Sequence, residues 1–80
     1  QKLSLNMVNK YLNTIDLDCP LPLLKTKLSL ADLKSGQILE VTATDPTSWE
    51  DFASYAKISG NELVHAEKNS GMFVYRIKKK

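Results

Sequence analysis

The chain has one cysteine, and the residues around it predict a place for sulfur chemistry. Cys19 begins the motif Cys-Pro-Leu-Pro at 19–22, directly ahead of a segment with helical periodicity. A helix start offers unpaired backbone N–H groups and the positive end of the helix dipole, both of which stabilise a sulfur anion. The prolines remove two of these donors and stiffen the loop, which leaves the N–H groups of Leu21, Leu23 and Leu24. We predict that five residues support a thiolate or a terminal persulfide sulfur: Pro20, Leu21, Pro22, Leu23 and Leu24.

Charged neighbours act on this thiol in opposite directions. Asp16 and Asp18 closely precede Cys19, and negative charge destabilises a thiolate. Lys25 and Lys27 lie one to two turns into the predicted helix and offset this effect in part. The sequence therefore predicts a well-positioned thiol rather than a strongly activated one. A buried, inert cysteine is the alternative, and the helix start with its polar neighbours favours exposure instead.

Composition excludes several classes of protein. The chain has 80 residues, one cysteine, one histidine and a formal net charge of +2. These values fit one small domain and exclude a disulfide framework, a Cys/His metal site and a strongly basic nucleic-acid binder. No apolar stretch reaches the ~18–20 residues that cross a bilayer, so we expect a cytoplasmic protein without membrane contact. His65 has no evident carboxylate partner, which gives a Cys–His hydrolase no support.

The hydrophobic pattern predicts the order βαβαββ. In chain order the predicted elements are strand 11–15, helix 22–35, strand 37–44, a second helix that begins shortly after residue 45 and stops at residue 60, strand 63–67 and strand 72–78. Two helices on one face of a four-stranded mixed sheet make a two-layer α/β sandwich with one core. We expect residues 1–10 to form a flexible N-terminal arm and residues 11–80 to form the folded domain.

Periodicity also predicts which face of the first helix packs on the sheet. The stripe expected to face the core has Leu24, Leu28 and Ala31 at its centre, with Leu21 above them and Leu23, Leu30 and Leu33 widening it. Gly36 stands where a left-handed residue would end the helix.

The second helix has clear start and stop signals. Asp45, Thr47 or Ser48 is expected to cap its start, and Gly60 to end it. Trp49, in its first turn, is expected to cover an edge of the sheet. The residues expected to face inward are Phe52, Tyr55, Ala56 and Ser59.

Beyond the cysteine motif, the sequence resembles the TusA/SirA-like sulfur-carrier proteins in register from about residue 12 to residue 80. The matching segments are Leu17, Cys19-Pro20-Leu21-Pro22 with Leu23-Leu24-Lys25, Gly36, Leu39-Glu40-Val41, Thr44-Asp45-Pro46, Gly60-Asn61-Glu62-Leu63 and Tyr75-Arg76-Ile77-Lys78-Lys79. The family usually has a glycine two residues before the Leu-x-Cys-Pro start, or immediately before its leucine. This chain has Asp16 next to Leu17.

The resemblance implies a βαβαββ sandwich and a function. Cys19 would accept a sulfane sulfur as a persulfide from a cysteine desulfurase or a rhodanese-like donor and pass it to a cysteine of an acceptor protein. This implies a sulfurtransferase-like carrier rather than a turnover enzyme, with no metal and no cofactor beyond the transient persulfide. The implied pathways are tRNA 2-thiouridine synthesis, sulfur oxidation, cofactor assembly or selenium metabolism. We expect a monomer in which Lys25, Lys27 and Asp45 dock the partners.

A basic C-terminal segment supports an alternative function. Residues 68–80 contain five basic residues and no acid, and Arg76 with Lys78 to Lys80 forms a basic edge. Such an edge would suit a small nucleic-acid-binding or regulatory interaction module. The sequence has no Gly-x-x-Gly loop and no RNP-like motif, so we expect no direct nucleic-acid contact. Basic residues at the end of an edge strand also prevent sheets from pairing, which is the simpler expectation.

Overall fold

The computed structural model describes residues 8–80, and its elements follow the predicted order. They are β1 (Lys10–Thr14), α1 (Leu21–Ala31), β2 (Ile38–Ala43), α2 (Ser48–Ser59), β3 (Glu62–Asn69) and β4 (Met72–Lys78). The predicted arm 1–10 extends too far, because β1 begins at Lys10 and the N–H of Asn9 already donates to the carbonyl of Ile38 at 2.8 Å. Residues 1–7 of that arm lie outside the described residues.

The four strands form one mixed sheet in the order β1-β2-β4-β3. β1 runs parallel to β2, and β4 runs antiparallel to both of its neighbours, β2 and β3. The prediction that the basic strand lies at an edge is therefore wrong, since β4 is internal. The long α1 connection joins two parallel neighbours, whereas a short turn suffices between the antiparallel strands β3 and β4.

The core lies between one face of the sheet and the two helices. Alternate residues of a strand point to opposite faces, and the inward set is buried on both central strands. Leu30 of α1 and Phe52 of α2 cover this set. The buried sheet residues are Leu39, Val41, Ala43, Phe73, Tyr75 and Ile77. The Tyr75 hydroxyl shares a 2.6 Å hydrogen bond with Ser48 Oγ, and burial raises the pKa of this phenol.

The buried face of α1 agrees with the predicted stripe only in part, because Leu30 is buried and Leu23 packs against the core as expected, whereas the centre of the stripe is exposed. Leu24 is 47% exposed, Leu28 is 71% exposed and Ala31 is also exposed. The buried side of the helix is formed by residues that follow one another at helical spacing: Pro22, Thr26, Ser29 and Leu30. Two of these are polar, which conceals the inward stripe from a hydrophobicity pattern. Burial of Thr26 is tolerated because its hydroxyl donates to the carbonyl of Pro22 at 2.8 Å.

The glycines at the two helix ends have different roles. Gly60 ends α2 in the left-handed conformation, with φ of 83°, as predicted. Gly36 does not end α1, because that helix stops at Ala31. Gly36 has φ of 87° within a tight turn, in which the N–H of Gln37 donates to the carbonyl of Lys34 at 3.0 Å.

Much of the basic C-terminal segment is engaged within the fold. Arg76 Nε donates to Glu40 Oε1 at 2.9 Å, across the pair of central strands. Lys79 Nζ donates to the carbonyl of Leu30 at 2.7 Å, near the C-terminal end of α1. These contacts remove two cations from the basic edge on which the nucleic-acid alternative depends. Across residues 8–80, neither helix combines the length and apolarity needed to span a bilayer.

Candidate functional site

Cys19 lies in the loop that leads from β1 into α1, and its side chain is exposed. The loop is tied to the sheet at its start. The N–H of Leu17 donates to the carbonyl of Thr14 at 3.2 Å, and the N–H of Asp16 donates to Thr44 Oγ1 at 2.9 Å. The Cys19–Pro20 peptide is cis. The thiol is therefore held outside the core on a loop that is anchored to both β1 and the end of β2.

Asp16 adopts the left-handed conformation, with φ of 68°. Glycine reaches this region without a steric penalty, whereas other residues pay about 1–2 kcal/mol, with aspartate among the better tolerated. The loop therefore has an acidic residue at a left-handed position.

We expect Asp16→Gly to raise the free energy of unfolding by about 0.5–1 kcal/mol, because relief of the left-handed strain exceeds the entropy that glycine adds to the unfolded chain. Asp18→Gly is the matched control. It removes the same charge from the same loop at a residue without positive φ, so it should lower stability. Urea denaturation measures both. Equal destabilisation by the two substitutions would contradict the account of Asp16.

The backbone donors around the sulfur are fewer than predicted. The N–H of Leu21 donates to the carbonyl of Asp18 at 2.8 Å, and the N–H of Leu24 donates to the carbonyl of Pro20 at 3.1 Å. The prediction that both amides are free is therefore wrong, because the turn before α1 and the first turn of the helix already use them. Leu23 alone of the three has no backbone acceptor among residues 8–80.

A carboxylate that sequence reasoning did not assign to the site contacts the thiol. Cys19 Sγ donates to Asp51 Oδ2 at 3.6 Å. Asp51 is half-buried in the first turn of α2, and its N–H donates to the carbonyl of Thr47 at 3.1 Å, which fixes the backbone that carries it. Asp51 follows Cys19 by 32 residues, so no local pattern could have connected the two.

The predicted docking residues have different surroundings. Lys25 and Lys27 are exposed on α1, and Lys27 Nζ lies 5.7 Å from the centroid of the Tyr55 ring. Asp45 is half-buried, and its carboxylate accepts hydrogen bonds from the N–H and the hydroxyl of Thr47 at 3.2 and 2.8 Å. Asp45 thus stabilises the turn into α2, and a docking role for it remains a prediction.

Apolar side chains extend along α1 from the cysteine. Leu21, Leu24 and Leu28 are all exposed and follow one another at helical spacing. We call these three residues the leucine stripe. The stripe begins two residues after Cys19, and Lys25 and Lys27 belong to the same exposed part of the helix.

Trp49 and His65 make contacts with residues other than Cys19. The Trp49 ring packs at 6.1 Å from the rings of Phe73 and Tyr75, and Lys68 Nζ lies 4.7 Å from its centroid. His65 Nε2 lies 2.8 Å from Glu67 Oε1. The expectation that His65 has no carboxylate partner is therefore wrong. Its strand β3 and the strand β1 that leads to Cys19 form opposite edges of the sheet, and the carboxylate partner of the thiol is Asp51 rather than Glu67.

The fold and the site together define a small two-layer α/β protein that presents one thiol at a helix start. A model of the family described as sulfurtransferase TusA matches residues 10–79. The chain is 47% identical over 71 residues to the sulfur carrier protein TusA of Allochromatium vinosum, which covers 89% of this chain and 93% of that protein. It is 34% identical over 73 residues to the sulfur carrier protein TusA of Pseudomonas aeruginosa, with 91% and 92% covered. The chain belongs to the TusA family.

A solved structure shares the fold. The SirA-like protein from Desulfitobacterium hafniense matches with a TM-score of 0.75 over 86% of this chain and 95% of that one, at 23% sequence identity. This likeness confirms the four-stranded mixed sheet and the two helices in the order βαβαββ.

Proposed function

We propose that this protein is a sulfur carrier that holds a persulfide on Cys19 and relays the sulfur between proteins. The observation that carries the proposal is the exposure of the only thiol in the sequence, on an anchored loop directly ahead of α1. Relatives named as sulfur carrier proteins align over most of the chain, which supports the same role. The protein acts in the cytoplasm, where thiols stay reduced.

The exchange needs three things from the carrier: an accessible sulfur, a place for its anion and room for a partner. Cys19 as a thiolate attacks the outer sulfur of a donor persulfide, whose S–S bond breaks as a new one forms at Sγ. The donor leaves as a thiolate and takes up the proton that Cys19 lost. Of the three amides predicted to support this anion, the N–H of Leu23 is the one without a backbone acceptor among residues 8–80. A second transfer of the same kind moves the outer sulfur to an acceptor thiol.

A cysteine desulfurase or a rhodanese-like protein is the proposed donor, and a protein of tRNA 2-thiouridine synthesis is one proposed destination. The donor step can be tested with radiolabelled L-cysteine and a cysteine desulfurase. Label should appear on the wild-type protein in a non-reducing gel and disappear on treatment with dithiothreitol. Protein whose Cys19 has first been blocked with iodoacetamide should stay unlabelled. Labelling of the blocked protein would contradict the proposal.

The leucine stripe and its lysines are the proposed docking surface for the sulfur donor. Any donor must bring its own persulfide to Cys19, and the stripe is the apolar surface that adjoins it. Exposed leucines at the centre with lysines beside them suit a partner that has an apolar patch with acidic residues around its reactive cysteine.

We expect the double variant Lys25→Glu/Lys27→Glu to slow loading by the desulfurase about ten-fold at low salt, because like charges then face each other across the interface. The matched control is Lys34→Glu/Lys78→Glu, which makes the same change in net charge at two other exposed lysines. The control should load at the wild-type rate. The rate of each double with a small-molecule persulfide is measured in parallel, and the slowing with the desulfurase should exceed any change in this intrinsic rate. Equal slowing of the two doubles with the desulfurase would refute this docking surface.

A further inference from the structure

The contact between the Cys19 thiol and the Asp51 carboxylate depends on whether the cysteine carries sulfur. At 3.6 Å, Sγ donates its proton to Asp51 Oδ2. This hydrogen bond exists only while the sulfur bears a proton, because a thiol is a weak donor and a carboxylate accepts only. A thiolate or a persulfide anion at the same place has no proton to donate and meets a second negative charge instead.

The fold holds this carboxylate in place. Asp51 is half-buried in the first turn of α2, and the hydrogen bond from its N–H to the carbonyl of Thr47 fixes the backbone that carries the side chain. The loop residues Asp16 and Asp18 are exposed, and neither forms a hydrogen bond to the thiol within the described part of the chain. The carboxylate that accepts the hydrogen bond from the thiol therefore belongs to α2 and not to the cysteine motif itself.

We propose that Asp51 is a positioning residue that favours the unloaded thiol of Cys19 and weakens retention of the persulfide, so that the carrier gives up its sulfur. This inference rests on the proposed carrier function. The Asp51 carboxylate stabilises the unloaded state through the hydrogen bond and opposes the loaded state through repulsion of the anion.

The bonds and the proton exchanged in the release step explain why Asp51 favours loss of the sulfur rather than its retention. The thiolate of an acceptor attacks the outer sulfur of the Cys19 persulfide, the bond between Sγ and that sulfur breaks, and a new S–S bond forms on the acceptor. Cys19 leaves as a thiolate and takes up the proton that the acceptor thiol lost, so the exchange involves no net oxidation. The proton on Sγ then restores the hydrogen bond to Asp51, a contact that the loaded carrier lacks.

The test compares sulfur retention in four proteins: wild type, Asp51→Asn, Asp51→Glu and Glu50→Gln. Asparagine keeps an acceptor for the thiol and removes the charge, whereas glutamate restores the charge. Glu50 is the exposed acidic neighbour in the same helical turn, so Glu50→Gln removes an equal charge from the helix start. Each loaded protein is mixed with an equal amount of unloaded, isotopically labelled wild-type protein, and after the sulfur has exchanged between them the fraction that keeps its persulfide is measured by intact mass.

We expect Asp51→Asn to raise the equilibrium constant for retention about three- to ten-fold, with Asp51→Glu and Glu50→Gln close to wild type. Loss of a merely structural contact would not make a carrier hold its sulfur more tightly. Retention by Asp51→Asn at or below the wild-type value, or an equal rise in Glu50→Gln, would overturn the inference.

A second readout separates this inference from the carrier function. The unloaded thiol of Asp51→Asn should react with iodoacetamide about three- to ten-fold faster than the wild-type thiol at neutral pH, because its thiolate no longer faces a carboxylate. This measurement needs no sulfur donor. Failure of the wild type to load sulfur would refute the proposed function while the alkylation rates still decide the role of Asp51. Equal alkylation rates would overturn that role.

Discussion

Replacement of Phe52 by alanine is expected to lower the free energy of unfolding by about 3–5 kcal/mol. The Phe52 side chain is 0% exposed and stacks on the Tyr75 ring, with 4.3 Å between centroids and 9° between planes. Its removal leaves a cavity at the contact between α2 and the centre of the sheet. A domain of this size has a total stability of only about 4–12 kcal/mol, so the substitution should remove a large fraction of it.

Ile58→Ala is the matched control for this prediction. Ile58 lies on the same helix and is 85% exposed, so its truncation should change stability by no more than about 0.5 kcal/mol. Urea denaturation can be followed by the fluorescence of Trp49, the one tryptophan, which packs against Phe73 and Tyr75. A loss below about 1 kcal/mol for Phe52→Ala, or similar losses for both variants, would contradict this description of the core.

The order of elements was predictable because strong local signals mark them. The alternation of Phe73, Tyr75 and Ile77 with Val74 and Arg76 predicts a strand, which the structure contains as β4. Gly60 ends α2 as expected, since glycine adopts the left-handed conformation without a side-chain clash. The order of the strands in the sheet was harder to predict. β4 is internal because it pairs with β2 as well as with β3, and charge patterns do not reveal such a long-range pairing.

The face of α1 shows where hydrophobicity alone misleads. The exposed side of this helix has three leucines, whereas the buried side has one leucine together with a proline and two small polar residues. Thr26 and Ser29 face the core, where their small size fits the space between helix and sheet and the Thr26 hydroxyl bonds to its own backbone. Exposed leucines beside an exposed thiol are expected if a partner protein covers them, as we propose.

The site was predictable in its position and not in its contacts. Pro22 predicts the start of the helix, and the polar neighbours of Cys19 predict that this residue is exposed there, as it is in the structure. Two of the three amides predicted to be free are used by nearby carbonyls, because the chain enters α1 through a hydrogen-bonded turn. The contact of the thiol with Asp51 depends on how α2 packs beside the loop, and no spacing within the sequence encodes that distance.

Cys19→Ser is expected to abolish sulfur loading completely and to leave the fold unchanged. Serine is nearly the same size, and the side chain is exposed, so stability should change by no more than about 0.5 kcal/mol. An alcohol does not accept a sulfane sulfur under these conditions, because the exchange requires a thiolate that attacks the outer sulfur of a persulfide. No second cysteine is present in the sequence to replace it.

The most direct test of the carrier function is the intact mass of the protein after incubation with a cysteine desulfurase and L-cysteine. The wild type should gain about 32 Da, the mass of one sulfur atom, and dithiothreitol should remove the gain. Cys19→Ser, treated in parallel, should keep its original mass. Absence of the adduct on the wild type with a desulfurase that loads another carrier, or an equal adduct on Cys19→Ser, would contradict the assignment of Cys19 as the sulfur-carrying residue.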